Sequence, residues 1–338
     1  MIAYHLDHPG TLEGLVQRTS ETPQPGNGEV LVRVRAAALN FRDLMIVDDR
    51  YVFPIPPGLI PLSDGAGEIV EVGPRTGAFK PGDRVAVNFI QKWIAGELRP
   101  EVAGSDVGGS LPGVLAEYIV LPESGLVVLA PHLSFEEGAS LACAVLTAWN
   151  GLVGQRPVQP GDTVLIQGTG GVSIFALQFA KLFGARVIAT TSSEAKAAKL
   201  KALGADEVID YVADQAWDET VLRLTGGVGV DRVVEVGGPG TLERSLRAVR
   251  IGGRVSAIGF VGGLEGNLSP FPMMARAASV DAVWAGSRRD FESMMRAIAH
   301  HRLRPVIDRV FEFDAAHEAY RHLRGRRHVG KVVIRVGA

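Results

Sequence analysis

From residue 160 the chain reads Pro160-Gly161-Asp162, a short apolar stretch Val164-Leu165-Ile166, then Gln167-Gly168-Thr169-Gly170-Gly171-Val172-Ser173, then an apolar run reaching Phe183. Turn, strand-length run, glycine cluster and helix-length run in that order fit a strand whose end turns sharply into a helix. Glycine at the turn permits positive φ, and a second glycine leaves room for a bulky anion against the backbone. The following helix offers that anion its unpaired N–H groups and the positive end of its dipole. A pyrophosphate-binding turn is therefore predicted at Gly168, Thr169, Gly170, Gly171 and Val172. Ser173 stands where G-x-G-x-x-G has its third glycine.

The alternation continues downstream. Strands are expected at 163–167, 186–191, 207–210, 231–236, 254–260 and 279–285, with helices at 173–183, 193–203, 218–225 and 242–249. Strand and helix in turn predict an α/β fold, a doubly wound parallel sheet of the Rossmann type. The first part of the chain has another texture. Val and Arg alternate over 28–38, further strands are expected at 64–74 and 115–121, and Lys80-Pro81-Gly82-Asp83-Arg84 is a turn before Val85-Ala86-Val87. A helix opens at Ser134, followed by Glu136 and Glu137. The end adds a helix at 291–300, a strand at 310–312, a helix at 315–323 and a strand at 331–335. The breaks in texture divide the chain into residues 131–287 and the two flanking segments, 1–130 and 288–338.

Composition excludes several classes. The 338 residues are 46% hydrophobic and 21% charged, enough for a packed two-domain core. A net charge of −2 offers no basic field for nucleic acid and no polybasic membrane anchor. Two uncharged runs, 138–155 and 163–180, are broken by Asn150 and by glycines, and read as core rather than membrane spans. Cys143 is the sole cysteine, so neither an internal disulfide nor a four-cysteine zinc lobe can form. The first residues lack the basic-then-apolar layout of a signal peptide. A reducing, cytoplasmic setting is expected.

Past the second Rossmann strand the chain runs Thr190-Thr191-Ser192-Ser193. A site for NADH normally carries Asp or Glu here for the ribose 2′-hydroxyl. Hydroxyls at Ser192 and an ammonium at Lys196 suit a 2′-phosphate instead, which a carboxylate would repel. NADPH is the expected cofactor, with Tyr211 beside the same phosphate. The plainer reading of Lys196 and Lys199 is the solvated face of a helix.

Motifs along the whole chain resemble the medium-chain dehydrogenase/reductase superfamily, and most nearly its zinc-lacking, quinone oxidoreductase-like branch. They are Leu39-Asn40-Phe41-Arg42-Asp43, Pro61-Leu62-Ser63-Asp64-Gly65-Ala66-Gly67, Lys80-Pro81-Gly82-Asp83-Arg84-Val85, Leu146-Thr147-Ala148-Trp149, the glycine turn, and Gly330-Lys331-Val332-Val333. The resemblance implies a GroES-like twisted β domain built from both chain ends around a Rossmann domain. It also implies hydride transfer from nicotinamide C4 and a homodimer. Thr147, Gly237, Gly259 and Phe260 are the residues it places toward the nicotinamide, and Arg326 is a basic residue that in relatives can reach the 2′-phosphate; a plain turn at Gly237-Gly238-Pro239-Gly240 and a solvated loop at Arg326 are the structural alternatives.

In the superfamily's alcohol dehydrogenases Cys, His and Cys hold a catalytic zinc. The matching positions here are Asn40, Ser63 and Cys143. A neutral amide and a hydroxyl are poor zinc ligands, and Asp64 is the one carboxylate that could assist. No zinc is expected. Without a Lewis acid, simple alcohol oxidation is disfavoured. Quinones and α,β-unsaturated carbonyls spread incoming charge onto oxygen, where hydrogen-bond donors can hold it. The expected function is NADPH-dependent reduction of such a small molecule, with Asn40 as oxyanion donor and Tyr51 lining the pocket or donating a proton. Asn40 as a helix cap and Tyr51 as an aromatic packed on Phe53 are the structural alternatives. Met45 replaces a tyrosine frequent in the branch. Competing functions are an NADP-dependent alcohol or aldehyde dehydrogenase and an NADPH-binding structural protein.

Overall fold

The computed structural model describes residues 1–267 and 269–337. The chain forms two compact units: Met1–Leu146 joined by the segment from Ala285 onward, and Thr147–Trp284.

The first unit is built on a sheet. In chain order its first strands are β1 (Ile2–Leu6), β2 (Leu15–Thr19), β3 (Glu29–Leu39), β4 (Asp64–Val72), β5 (Arg84–Val87), β6 (Tyr118–Pro122) and β7 (Leu126–Val128). Helices α1 (Phe41–Val47), α2 (Pro100–Ala103) and α3 (Phe135–Ala139) lie between and after them. Ser134 caps α3 by accepting the Glu137 N–H at 3.2 Å, and the Glu137 carboxylate accepts the Ser134 N–H at 2.8 Å. A π-helical turn, Leu141–Val145, then leads into α4 (Leu146–Val153). Later residues return to this unit as α10 (Arg288–His301), β14 (Ile307–Glu312), α11 (Ala316–Arg324) and β15 (Lys331–Arg335).

The sheet runs β14-β15-β3-β4-β5-β7, with β6 also paired to β3 and a separate β1-β2 hairpin. β14 and β15 are parallel; the other pairs are antiparallel. Strand β3 is central. Val30, Val32 and Val34 are buried while Arg33 and Arg35 remain partly exposed, as the Val/Arg alternation predicts.

The second unit alternates β8 (Thr163–Gln167), α5 (Gly171–Leu182), β9 (Arg186–Thr191), α6 (Glu194–Ala202), β10 (Glu207–Asp210), α7 (Trp217–Leu224), β11 (Val230–Glu235), α8 (Pro239–Ala248), β12 (Val249–Ala257), α9 (Phe271–Ala275) and β13 (Ser279–Ala282). Its six strands are all parallel, in the order β10-β9-β8-β11-β12-β13. Leu165, Ile188, Val233 and Val255, fully buried, fill its centre. The order reverses beside β8, the place where doubly wound sheets bind ligands.

Two sequence expectations need correction. Strand β12 begins at Val249 and ends at Ala257, so Gly259 and Phe260 lie in the loop beyond it. Residues 250–253, between the expected helix 242–249 and strand 254–260, bulge from the ladder: β11 pairs with Val249 and then with Arg254–Ala257, and Gly252 has φ 69°. Among the described residues no helix is long and apolar enough to cross a membrane, and the uncharged run 163–180 is β8 and most of α5.

Candidate active site

In the first unit three adjacent strands end on one cluster of polar groups. β3 hands over to α1 at Asn40, β4 starts at Asp64, and β15 starts at Lys331. Ala38 pairs with Asp64 on one side of β3, and Leu39 pairs with Val332 on the other. The register therefore sets Asn40, Asp64 and Lys331 side by side. The Lys331 ammonium donates to Asn40 Oδ1 at 2.6 Å, to the Leu39 carbonyl at 2.9 Å and to Asp64 Oδ2 at 3.2 Å. Ser63 Oγ donates to Asp64 Oδ1 at 2.8 Å. Lys331 is 2% exposed, Asp64 and Ser63 are fully buried, and Asn40 is 8% exposed. The charge on each is affordable because the other neutralises it and every remaining lone pair or proton nearby is engaged.

Asn40 Nδ2 and, on neighbouring Asp43, Oδ1 are the exceptions. Both are buried and have no hydrogen-bond partner. The Asn40 backbone N–H is held by Asp43 Oδ2 at 2.7 Å, which ties the start of α1. Burial pushes the Asp43 carboxyl up to about 6, against the opposing pull of Arg42. Cys143, half-buried on the π-helical turn, is pushed up to about 12 by burial and then by the Asp64 carboxylate, so its thiol keeps its proton at neutral pH.

This donor set does not fit zinc. Of the three positions matching zinc ligands, one is an amide whose oxygen already faces an ammonium, one is a hydroxyl donating to Asp64, and only Cys143 offers a usual zinc donor. The single carboxylate is paired with Lys331. A dication would have to approach against that ammonium. Among the described residues no group of three or more His, Cys, Asp or Glu side chains could hold a metal.

Tyr51 belongs to a second cluster in the same unit. The Arg42 guanidinium lies 4.8 Å from the Tyr51 ring centroid and 4.9 Å from that of Phe89. It donates to Asp106 Oδ2 at 2.6 Å and to the Tyr51 hydroxyl at 3.1 and 3.2 Å. Tyr51 donates in turn to Asp106 Oδ2 at 3.3 Å, and Ser110 Oγ to Asp106 Oδ1 at 2.6 Å. Burial pushes the Tyr51 phenol up to about 12. Tyr51 also meets Phe53 edge-on at 5.8 Å between centroids, the packing contact weighed from the sequence. Arg326, with φ 53°, places its guanidinium 5.9 Å from the Phe41 ring centroid.

The second unit carries the glycine turn after β8. Gly168 has φ 72°, and a Cβ built there or at Gly170 would meet nothing within 4 Å. Gly170 caps α5, so Thr169, Gly171 and Val172 follow the end of β8 directly into its first turn. Ser173, in place of a third glycine, is buried and donates its hydroxyl to the Gln167 carbonyl at 2.6 Å, tying helix to strand. Open space beside two glycines and a free helix start suit a pyrophosphate.

Ser192 is exposed just past β9, and Lys196 is half-buried on α6, whose cap Ser193 Oγ accepts the Lys196 N–H at 3.4 Å. Tyr211, 41% exposed, donates its N–H to the Thr191 carbonyl at 2.9 Å. The structure thus brings Ser192, Lys196 and Tyr211 to one end of β9 and β10, with no carboxylate at the end of β9. Thr147, on α4, is buried.

Sequence reading missed Glu235, Lys331, Arg42 and Asp106 as organising residues. Glu235, 1% exposed, accepts Gly237 N–H at 2.7 Å, Gly238 N–H at 3.1 Å and Thr241 Oγ1 at 2.6 Å on one oxygen. Gln167 donates to its other oxygen at 2.7 Å. It thereby fixes the Gly237-Gly238 turn against the Phe260 loop, where a Cβ on Gly238 would come within 2.8 Å of Phe260 Cα. The only signal was a Glu at a strand end two residues before a pair of glycines.

The zinc-binding dehydrogenase family matches residues 171–300, and the alcohol dehydrogenase GroES-like domain matches residues 26–131. The chain belongs to the medium-chain dehydrogenase/reductase superfamily, whose members are oxidoreductases. It is 42% identical to the zinc-type alcohol dehydrogenase-like protein C1773.06c of Schizosaccharomyces pombe, over 94% of this chain and 93% of that one. An acryloyl-coenzyme A reductase of Metallosphaera sedula is 29% identical, over 96% and 97% of the two chains. A crystal structure of an NAD-dependent alcohol dehydrogenase superposes with TM-score 0.91 at 38% identity, over 100% of both chains.

Proposed function

We propose that this chain is a zinc-independent reductase that passes hydride from a nicotinamide cofactor, preferably NADPH, to a quinone or an α,β-unsaturated carbonyl. The observation that carries this reading is the Lys331 ammonium, bonded to Asn40 Oδ1 and Asp64 among the positions that match zinc ligands. When bound, the nicotinamide supplies the hydride. Its pyrophosphate is assigned to the Gly168–Val172 turn, and its 2′-phosphate to Ser192 and Lys196 with Tyr211 beside them.

The chain's own residues then have to hold charge that develops on the acceptor oxygen. Asn40 Nδ2, buried and unpartnered, is a preorganised donor for it, and preorganised donors stabilise oxyanions without reorganisation at the moment of reaction. Tyr51 donates to Asp106 and keeps its proton far above neutral pH, so its role here is to shape the pocket wall with Arg42, and the proton that neutralises the reduced acceptor comes from water. The name of the Metallosphaera relative, a reductase of an activated conjugated double bond, agrees with this acceptor class.

A panel of enones and quinones offered with NADPH tests the reading. Saturable NADPH oxidation with conjugated acceptors supports it; inertness with all of them, or turnover confined to alcohols with NAD(P)⁺, rejects it. The alcohol reading is kept because the superposed crystal structure is that of an NAD-dependent alcohol dehydrogenase. A homodimer in a reducing compartment completes the proposal. Its support is β13, which ends the six-stranded sheet, with Phe271 and Met274 on the preceding helix 72% and 71% exposed.

A further inference from the structure

We propose that Lys331 is a positioning residue for the reaction: its ammonium locks the Asn40 carboxamide with the oxygen inward, so that Nδ2 alone is presented to the acceptor oxygen. The inference rests on the metal-free reductase reading.

An ammonium has three donors and no acceptor. At 2.6 Å from the Asn40 side chain it accepts only one orientation of that amide, with Oδ1 facing Nζ. The reversed amide would set N–H groups against the ammonium. Its other two donors go to the Leu39 carbonyl and Asp64 Oδ2, so Lys331 itself is anchored at the ends of β3 and β4 and has no proton left to offer a substrate. Ser63 holds the far oxygen of Asp64. Among Lys331, Asn40, Asp64 and Ser63 only Asn40 Nδ2 is without a hydrogen-bond partner; on neighbouring Asp43, Oδ1 is also unpartnered. A buried amide donor without a partner is costly, and a fold avoids one unless something keeps the group in place. Lys331 supplies that restraint.

Without Lys331 the arrangement reverses. Asp64 would be a buried carboxylate with an open oxygen, and the nearest amide able to fill it is Asn40. Turning Nδ2 toward Asp64 would present Oδ1 to the acceptor, and two oxygens bearing negative charge repel. Lys331 therefore controls turnover through Asn40, and the cofactor turn in the second unit is untouched.

The test is a double-mutant cycle on kcat with a conjugated acceptor and NADPH. Lys331→Met is expected to lower kcat by about 10–100-fold, as loss of an oxyanion donor does, with NADPH KM within about twofold. In an Asn40→Ala background the same change is expected to alter kcat by less than about threefold. Lys331→Arg, which also only donates, should recover most of the activity. Where Lys331→Met does not fold, Lys331→Met with Asp64→Asn removes both charges together and leaves no orphan carboxylate. That pair should lose at least about fivefold, and again almost nothing further beside Asn40→Ala. Equal losses in both backgrounds overturn the positioning role while leaving the reductase reading intact. A wild-type chain inert toward every conjugated acceptor overturns both.

Discussion

The Lys331 ammonium lies 2.6 Å from Asn40 Oδ1, a contact between the beginning of the last strand and the end of the central one, 291 residues apart in sequence. It closes the first unit's sheet at its polar end. It also puts a fixed positive charge beside the residues whose counterparts hold a metal in the zinc-bearing members of the superfamily.

Asp43 gives a pH signature. Burial raises its carboxyl to about 6, whereas the unfolded chain holds that proton only to about 3.9. The native state thus binds more protons than the unfolded state between these values. Its stabilising contribution is complete below pH ~3.9 and is lost as pH rises through about 6. Asp43→Asn cannot titrate. The stability of wild type relative to Asp43→Asn, followed by urea unfolding from pH 4 to pH 7.5, should fall as pH rises. A constant difference would show that Asp43 is not protonated at the low end of that range.

Arg42 is the keystone of the Tyr51 cluster. Arg42→Leu leaves Asp106 buried with Ser110 and Tyr51 but no cation, and removes the guanidinium stacked near Tyr51 and Phe89. Breaking one side of a buried pair costs about 3–5 kcal/mol. The variant should show a clearly lower denaturant midpoint. A midpoint equal to wild type would mean that solvent replaces the guanidinium without penalty.

Lys196 should set cofactor choice. Lys196→Ala is expected to weaken NADPH binding by about tenfold, the scale of one charge-assisted contact, and to leave NADH binding within twofold. Tryptophan quenching titrations measure both. Equal weakening of the two cofactors assigns Lys196 to the general fold of α6 and removes the 2′-phosphate argument.

The free edge of β13 predicts self-association. Light scattering behind size exclusion should give twice the 35.9 kDa chain mass, and a charge introduced by Met274→Glu should shift it toward the monomer. A monomeric wild type removes the homodimer from the proposal.

The second unit was almost fully legible in the sequence because its buried parallel strands are short apolar runs that alternate with helix-length segments. β8, β9 and β10 fall at the expected residues. β12 did not, since one residue before the bulge at 250–253, Val249, still pairs with β11, and the strand ends at Ala257, short of Phe260. In the first unit, α1 gave no helical periodicity because Leu44, Met45, Ile46 and Val47 are all buried, so no polar face marks it. β1, β2 and β7 have five residues or fewer, too short for alternation to stand out. Asn40 was legible as a replaced ligand. Lys331 was visible in the motif Gly330-Lys331-Val332-Val333, but its partners come from strands hundreds of residues away. Only the register of β15 on β3 brings them together.

The most direct measurement is enone-dependent NADPH oxidation by protein first treated with a strong chelator and assayed for zinc. Full activity with far less than one zinc per chain is the expected result. Activity abolished by chelation and restored by one equivalent of zinc would contradict the central claim, and would require Lys331 to yield its place to the metal.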